Sequence, residues 1–234
     1  MNMKNNLGVK TFVLSTLFSI FACPICAGGN ISNAKTAEMK VKSVKINGYV
    51  GGRIDDCINH RVMKEDVDAL VEPFRHRDET WRWKSEFWGK WTLGAIKAYR
   101  YTGNAALYEK IAASVGHIIE TQSPDGYIGN YAPEAQLKEW DIWGRKYTML
   151  GLLAWYELSG DSQALAAASG VADHLISQLK SKNAKIVKCG SYRGMASSSV
   201  LEPIMKLYNI SGDKRYLDFA TDIVSQWESP DGPK

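Results

Sequence analysis

Apolar and polar positions along the chain alternate in a way that predicts helices in pairs. Three stretches align with one another: AIKAYRYTGNAALYEKIA (95–112), LLAWYELSGDSQALAAAS (152–169) and IMKLYNISGDKRYLDFAT (204–221). Each reads as an apolar helix, an aromatic residue, Thr or Ser before Gly, then Asn or Asp and a second amphipathic helix. The central glycines, Gly103, Gly160 and Gly212, are 57 and 52 residues apart, a spacing that marks a repeat architecture.

The corner has a physical reason. A glycine just past a helix end accepts the left-handed backbone that a Cβ resists. The residue that follows (Asn104, Asp161 or Asp213) offers a side-chain oxygen to the free N–H groups of the next helix. So short a turn makes the two helices antiparallel. In the second helices the expected inward faces are Leu107, Ile111, Val115 and Ile118, then Leu165, Ala168, Ala172, Leu175 and Leu179, then Leu217, Ala220, Val224 and Trp227. The first helix of the middle pair, TMLGLLAWYELS (148–159), is apolar nearly all round, as a helix enclosed by protein would be. One amphipathic outer layer around one enclosed inner layer predicts an all-α fold of the α/α toroid type. An open solenoid, the alternative, would want a polar stripe along residues 148–155, and none is present. The helical pattern starts near Glu79, and the chain stops at a Ser-Pro-Asp-Gly boundary after about three hairpins. Closed toroids commonly use six, so residues 53–234 are expected to form the N-terminal half of a truncated ring with an open apolar flank prone to self-association.

Residues 1–27 carry Lys4 and Lys10 ahead of an apolar run, Thr11 to Ala22, too short to span a bilayer, with small residues at Ala27, Gly28 and Gly29. This is the pattern of a signal peptide, so a secreted or periplasmic location is expected, and a lipid anchor at Cys23 is the competing form of export. Residues 28–52 read as a polar linker or lead-in segment. The formal charge of +4 falls to near neutral without Lys4 and Lys10, and no basic run interleaved with aromatics occurs, so nucleic acid is not an expected partner. Cys57 and Cys189 remain in the mature chain. A disulfide between them is open, separate buried thiols being the simpler reading. His60, His76, His117 and His174 lack metal-ligand spacing, and no metal site is expected in this chain.

Eight tryptophans and eleven tyrosines exceed what helix packing needs, and the unusual residues gather between the hairpins. Trp81–Trp91 holds four tryptophans with Glu86 and Lys90; Trp88 and Trp91, at helical spacing, suit a core. Asp125–Tyr131 (DGYIGNY) offers Tyr127 and Asn130 on a glycine-shaped loop. Glu139–Tyr147 (EWDIWGRKY) places Trp140, Asp141, Arg145 and Tyr147 just before the most apolar helix. Rings to stack on sugar and charged groups to bond hydroxyls make Glu86, Tyr127, Asn130, Trp140, Asp141, Arg145 and Tyr147 the candidate substrate-binding set. Asp141 and Arg145, four apart on a helix, are equally placed for a self-contained ion pair. Glycosidases usually need two opposed carboxylates; Asp141 and Glu86 are the available pair, with nothing local to set their separation.

At GKW (Gly89–Trp91), DGYIGNY and WDIWGRKYTMLGLLAWYELSGD (Trp140–Asp161) the chain resembles glycoside hydrolase family 127, the β-L-arabinofuranosidase-like group once called domain of unknown function 1680. The resemblance runs from about Arg53 to the end. It implies an (α/α)6 barrel and exo-acting, retaining hydrolysis of an oligosaccharide or glycan of plant type. It also implies a cysteine thiolate nucleophile held by zinc with two further cysteines and a glutamate. Those residues belong to the family's later hairpins, beyond Lys234, and Cys57 and Cys189 do not match their motif. No catalytic residue and no cofactor is therefore expected in this chain, and neither hydrolysis nor zinc binding. Where members of the family carry sugar-contacting histidines this chain has Trp140 and Tyr147, which implies a divergent subgroup with another sugar. A non-catalytic carbohydrate- or protein-binding scaffold, or another toroid enzyme such as an epimerase or an unsaturated glucuronyl hydrolase, are the other readings. A downstream Glu-x-Cys and Cys-Cys pair would separate them.

Overall fold

The computed structural model describes residues 44–233. The expected signal peptide, Cys23 and most of the expected linker lie outside the described residues. Helix α1 (Gly48–Cys57) runs into a π-helical turn (Ile58–Val62), and α2 spans Val67–His76. Three hairpins follow: α3 (Glu86–Thr102) with α4 (Ala105–Glu120), α5 (Asp141–Ser159) with α6 (Ser162–Ser181), and α8 (Leu201–Ser211) with α9 (Lys214–Glu228), the short α7 (Met195–Ser198) preceding the last. Extended pairing among the described residues is limited to one isolated bridge between Glu79 and Tyr131. The fold is all-α.

The corners form as the sequence dictates. Gly103, Gly160 and Gly212 sit at φ of 65°, 77° and 69°, each donating its N–H to a carbonyl in the last turn of the preceding helix. Asn104 accepts from Leu107 N–H, Asp161 from Gln163 N–H and Asp213 from Arg215 N–H. Helices α3, α5 and α8 pack side by side as an inner row; α2, α4 and α6 form the outer row, and α9 returns beside α8. Residues 148–153 of α5 are buried in unbroken succession, the expected enclosed helix. These layers form an arc of an α/α toroid.

Two expectations shift. Helices begin at Gly48, well before Glu79, and the α1–α2 pair packs its π-helical turn on α3 and α2 on α4, adding an irregular pair ahead of the three regular ones. No Gly-Asn/Asp corner marks it: Met63 to Asp66 make the turn, and Asp66 caps α2 by accepting from Ala69 N–H. In α9 the buried face is Tyr216, Phe219, Ala220 and Ile223, with Leu217 half-buried and Val224 and Trp227 exposed. Hydrophobic spacing alone admitted both registers, and the aromatic rings of Tyr216 and Phe219 took the core.

The inner row is set by small residues. A Cβ on Gly89 of α3 would collide with the backbone of Tyr147 on α5, one on Gly144 with Ser85, and one on Gly151 with the Trp88 ring, while only touching Gly89 Cα at 3.4 Å. The matched order of these contacts along both helices makes α3 and α5 parallel, so their N-termini open at the same end. Trp88, fully buried at this crossing, anchors its indole N–H on Ser114 Oγ of α4 at 2.8 Å, and half-buried Trp91 donates to Val62 O. Both are core, as their spacing suggested.

Replacing Gly89 with Ala is expected to destabilise the fold by about 1–3 kcal/mol, because the facing atoms are backbone and cannot swing aside. Gly94→Ala on the same helix meets open space and is expected to be neutral or mildly stabilising. Urea unfolding of both variants beside the parent checks the contrast.

Candidate functional site

The stretch from Glu139 to Tyr147 is divided by the helical period. Asp141 and Arg145, one turn apart, face α6 and the loop before α5; Trp140, Trp143 and Tyr147 face α3 and the loop before α7. The two sets have opposite characters.

On the first side the groups bond one another, Arg145 Nε alone of this network lacking a partner among the described residues. Asp141, 2% exposed, accepts from Tyr127 OH at 2.7 Å, Leu137 N–H at 2.8 Å and Arg145 Nη2 at 2.5 Å. Arg145, fully buried, also bonds Gln178 Oε1 at 2.8 Å and His174 Nδ1 at 3.1 Å, while His174 Nε2 lies 3.3 Å from Asp125. The guanidinium stacks over the Tyr127 ring, 4.6 Å from its centroid. Desolvation, reinforced by the Asp141 charge, pushes the Tyr127 phenol well above its ordinary range, which keeps it a neutral donor. The ion-pair reading of Asp141 and Arg145 is thus realised, inside a network that fastens α5 to α6 and to the loop 122–137. Tyr127, Asp141 and Arg145 are brought together, but as neighbours of one another rather than of open space. Asn130 is buried too. Its carbonyl accepts from Glu79 N–H, and its side-chain amide has no hydrogen-bond partner among the described residues.

On the second side the groups reach a rim formed by the N-termini of α3 and α5. Glu86, 7% exposed, accepts a short bond from the Trp143 indole N–H and an ion pair from Lys90 at 2.9 Å. Lys90 lies over the Tyr147 ring at 4.9 Å, and Lys146 over Trp143 at 4.9 Å, with Glu202 3.7 Å from its ammonium. Trp140 is the hub of the rings, meeting Trp83, Trp143 and Tyr192 edge to face with centroids 6.0, 5.9 and 5.6 Å away. Trp83 is 46% and Tyr192 71% exposed. Glu86, Trp140 and Tyr147 are therefore the sequence candidates gathered at the rim, with Trp140 and Tyr147 half-buried and Glu86 buried beneath its partners. The two carboxylates considered as a catalytic pair are separated: Glu86 stands at the rim, Asp141 is enclosed by its donors.

The loops around Trp140 are held in unusual backbone. Leu137 (φ 68°), Glu139 (φ 44°), Tyr192 (φ 56°) and Arg193 (φ 55°) all lie in the left-handed region without being glycine. Such residues cost on the order of 1–3 kcal/mol each and persist only where neighbours over-determine them. Here Ser191 N–H and Oγ bond Glu139 O and Oε2 at 3.0 and 3.1 Å, and Tyr131 OH donates to Arg82 O while accepting from Trp140 N–H. Tyr192 was not singled out from the sequence. Its signal was the Gly190-Ser191-Tyr192-Arg193-Gly194 segment, two glycines bracketing an aromatic in a connection between hairpins.

A zinc–thiolate centre does not fit the residues described. No group of three or more His, Cys, Asp or Glu among them is arranged to hold a metal. Of the two cysteines among the described residues neither is in a disulfide; Cys57 is exposed, against the expectation of burial, because it ends a helix that leaves most of its surface outside. Cys189 is buried, donates to Lys185 O at 3.3 Å, and burial pushes its thiol up to about 11, the opposite of an activated thiolate. A groove of about 930 Å³ between α6 and α9, bordered by Asp173, Lys180, Arg215 and Asp222, lies on the outer layer away from the rings.

The network predicts a pH response. Burial, reinforced by Arg145, holds the His174 imidazole below its ordinary value, with Asp125 and Asp141 opposing. Above the unfolded value both states are neutral; below it the unfolded chain takes up the proton first, so stability falls as pH drops. The urea midpoint is expected to decline from roughly pH 7.5 to pH 5, and His174→Asn to flatten part of that slope.

Comparison with known proteins places this arc in a family. Residues 35–228 match the family described as beta-L-arabinofuranosidase, GH127 catalytic domain. Among solved structures, a GH127 β-L-arabinofuranosidase from Geobacillus stearothermophilus T6 aligns with a TM-score of 0.51 at 17% identity, over 76% of this chain and 30% of its own. A second, a GH127 β-arabinofuranosidase, aligns with a TM-score of 0.50 at 16% identity, over 82% of this chain and 31% of its own. The chain thus spans under a third of either structure, and at these identities the likeness is one of fold. No curated protein gives a significant match. With the toroid arc, the parallel inner helices and the match over residues 35–228, the chain belongs to the GH127 β-L-arabinofuranosidase catalytic-domain family of glycoside hydrolases.

Proposed function

We propose that this chain supplies the sugar-binding rim of an exported glycoside hydrolase acting on plant-type glycans. The observation that carries the reading is Glu86 fixed between the Trp143 indole and Lys90 at the end where both inner helices begin, with Trp140 and Tyr147 beside it. A carboxylate with a set orientation bonds sugar hydroxyls, and rings flanking it stack on the C–H face of a sugar. Export is supported by Lys4 and Lys10 ahead of the apolar run 11–22, and among the described residues no helix is long and apolar enough to cross a membrane. The names of the solved relatives support an arabinose-bearing glycan, while Trp140 and Tyr147 support a different fit at the terminal sugar.

The buried network on the far side of α5 serves this rim indirectly. By tying Asp141 and Arg145 to α6 it fixes the rotation of α5, and hence the direction in which Trp140, Trp143 and Tyr147 project. Bond cleavage needs an activated nucleophile. The described residues offer no thiolate for it, so the chain by itself is proposed to bind without turnover.

A panel of 4-nitrophenyl glycosides that includes the β-L-arabinofuranoside, read by tryptophan fluorescence and nitrophenolate release, tests this. At least one glycoside is expected to shift the emission with no nitrophenolate formed, and Glu86→Gln to weaken it by roughly tenfold, the loss of about one charge-assisted hydrogen bond. Silence across the panel would remove the sugar-binding reading, and release of nitrophenolate would remove the binding-only one.

A further inference from the structure

From the rings packed on Trp140 of the terminal-sugar rim we infer a second binding element: Trp83 and Tyr192 form a preset platform for the continuing, uncharged part of an oligosaccharide. The inference rests on the proposed glycan reading of the rim and adds to it the length and charge of the ligand.

Three observations lead there. First, the rings form a cluster. Trp140 meets both Trp83 and Tyr192 edge to face, at centroid distances of 6.0 and 5.6 Å. Those two remain 46% and 71% exposed, a large aromatic area to leave in water unless something covers it. Second, the cluster is held rather than loose. Its two supporting loops carry four non-glycine residues at positive φ, and they are clasped by Ser191 to Glu139 through both a backbone and a side-chain bond. Trp83 is joined to the same frame, since Tyr131 OH bonds both Arg82 O and Trp140 N–H. Strain kept at such a place lowers the ordering that a ligand must otherwise impose. Third, the lysines of the adjoining rim, over Trp143 and Tyr147, are matched. Lys90 pairs with Glu86 at 2.9 Å and Lys146 with Glu202 at 3.7 Å, so a uronate or sulfate would have to break a pair to gain either of them. An uncharged sugar chain has no such cost.

Ser191 and Glu139 act through the rings and are positioning residues; Trp83 and Tyr192 touch the ligand. Tryptophan fluorescence and calorimetry with neutral arabino- and xylo-oligosaccharides, from monosaccharide to pentasaccharide, test the platform. Affinity is expected to rise roughly tenfold between the monosaccharide and the trisaccharide. Tyr192→Ala and Trp83→Ala, both exposed and so compatible with folding, should reduce the longer ligands to monosaccharide affinity while leaving the monosaccharide unchanged; Tyr192→Phe should retain the gain. Ser191→Ala should lower the gain for long ligands alone. If long and short ligands bind equally, or Tyr192→Ala changes neither, the platform is overturned and the terminal-sugar rim stands. If an oligogalacturonate binds more tightly than neutral chains of equal length, the uncharged assignment is overturned. If no glycan binds, both readings fall.

Discussion

The arrangement depends on how closely α3 and α5 approach. Two parallel helices whose backbones nearly touch are held in one stagger, and that stagger brings a carboxylate at the start of one against an indole at the start of the other. Gly89, Gly144 and Gly151 remove the side chains that would hold them apart, and Trp88 fills the space that remains on the α4 side. Contact of this kind has no slack, since backbone meets backbone. It fixes the stagger of α3 on α5, and through that stagger Glu86 meets Trp143 one turn nearer the rim than the crossing itself.

From the crossing, helical geometry distributes the roles along α5. Residues four apart share a face, so Asp141 and Arg145 fall together, as do Trp143 and Tyr147. The first face is closed by α6 and the loop 122–137, where a carboxylate and a guanidinium are tolerable because Tyr127, Leu137, His174 and Gln178 bond them, leaving only Arg145 Nε without a partner among the described residues. The second face ends at the rim, where the lysines lie over rings and keep their carboxylate partners. One helix thereby separates a load-carrying polar core from a surface that can meet sugar. Neither works without the other, because the rotation of α5 sets both.

The fold was largely legible in the sequence. Gly103, Gly160 and Gly212 with their capping neighbours are local chemistry, and local chemistry repeats visibly. The α1–α2 pair was missed because it turns at Met63 to Asp66 with no glycine, and a π-helical turn blurs its period. The register of α9 was misjudged because Leu217, Val224 and Trp227 keep helical spacing as well as Tyr216, Phe219 and Ile223 do. The site was legible as a set of stretches but not as a geometry. Composition marked Trp140, Asp141, Arg145 and Tyr147 as unusual, and only the third dimension divided them into enclosed and accessible. Tyr192 lay in a connection marked only by the bracketing Gly190 and Gly194, and those glycines do not reveal the two successive left-handed residues that set its ring.

The central claim is the glycine-to-glycine contact between α3 and α5. With glycine residues labelled selectively, a nuclear Overhauser cross-peak between the Hα protons of Gly89 and Gly151 measures it directly, since a Cβ built on Gly151 would lie 3.4 Å from Gly89 Cα. A strong cross-peak is the predicted result. Its absence, with both glycine signals assigned and sharp, would mean that the inner helices do not cross there and that the rim built on that crossing is not formed.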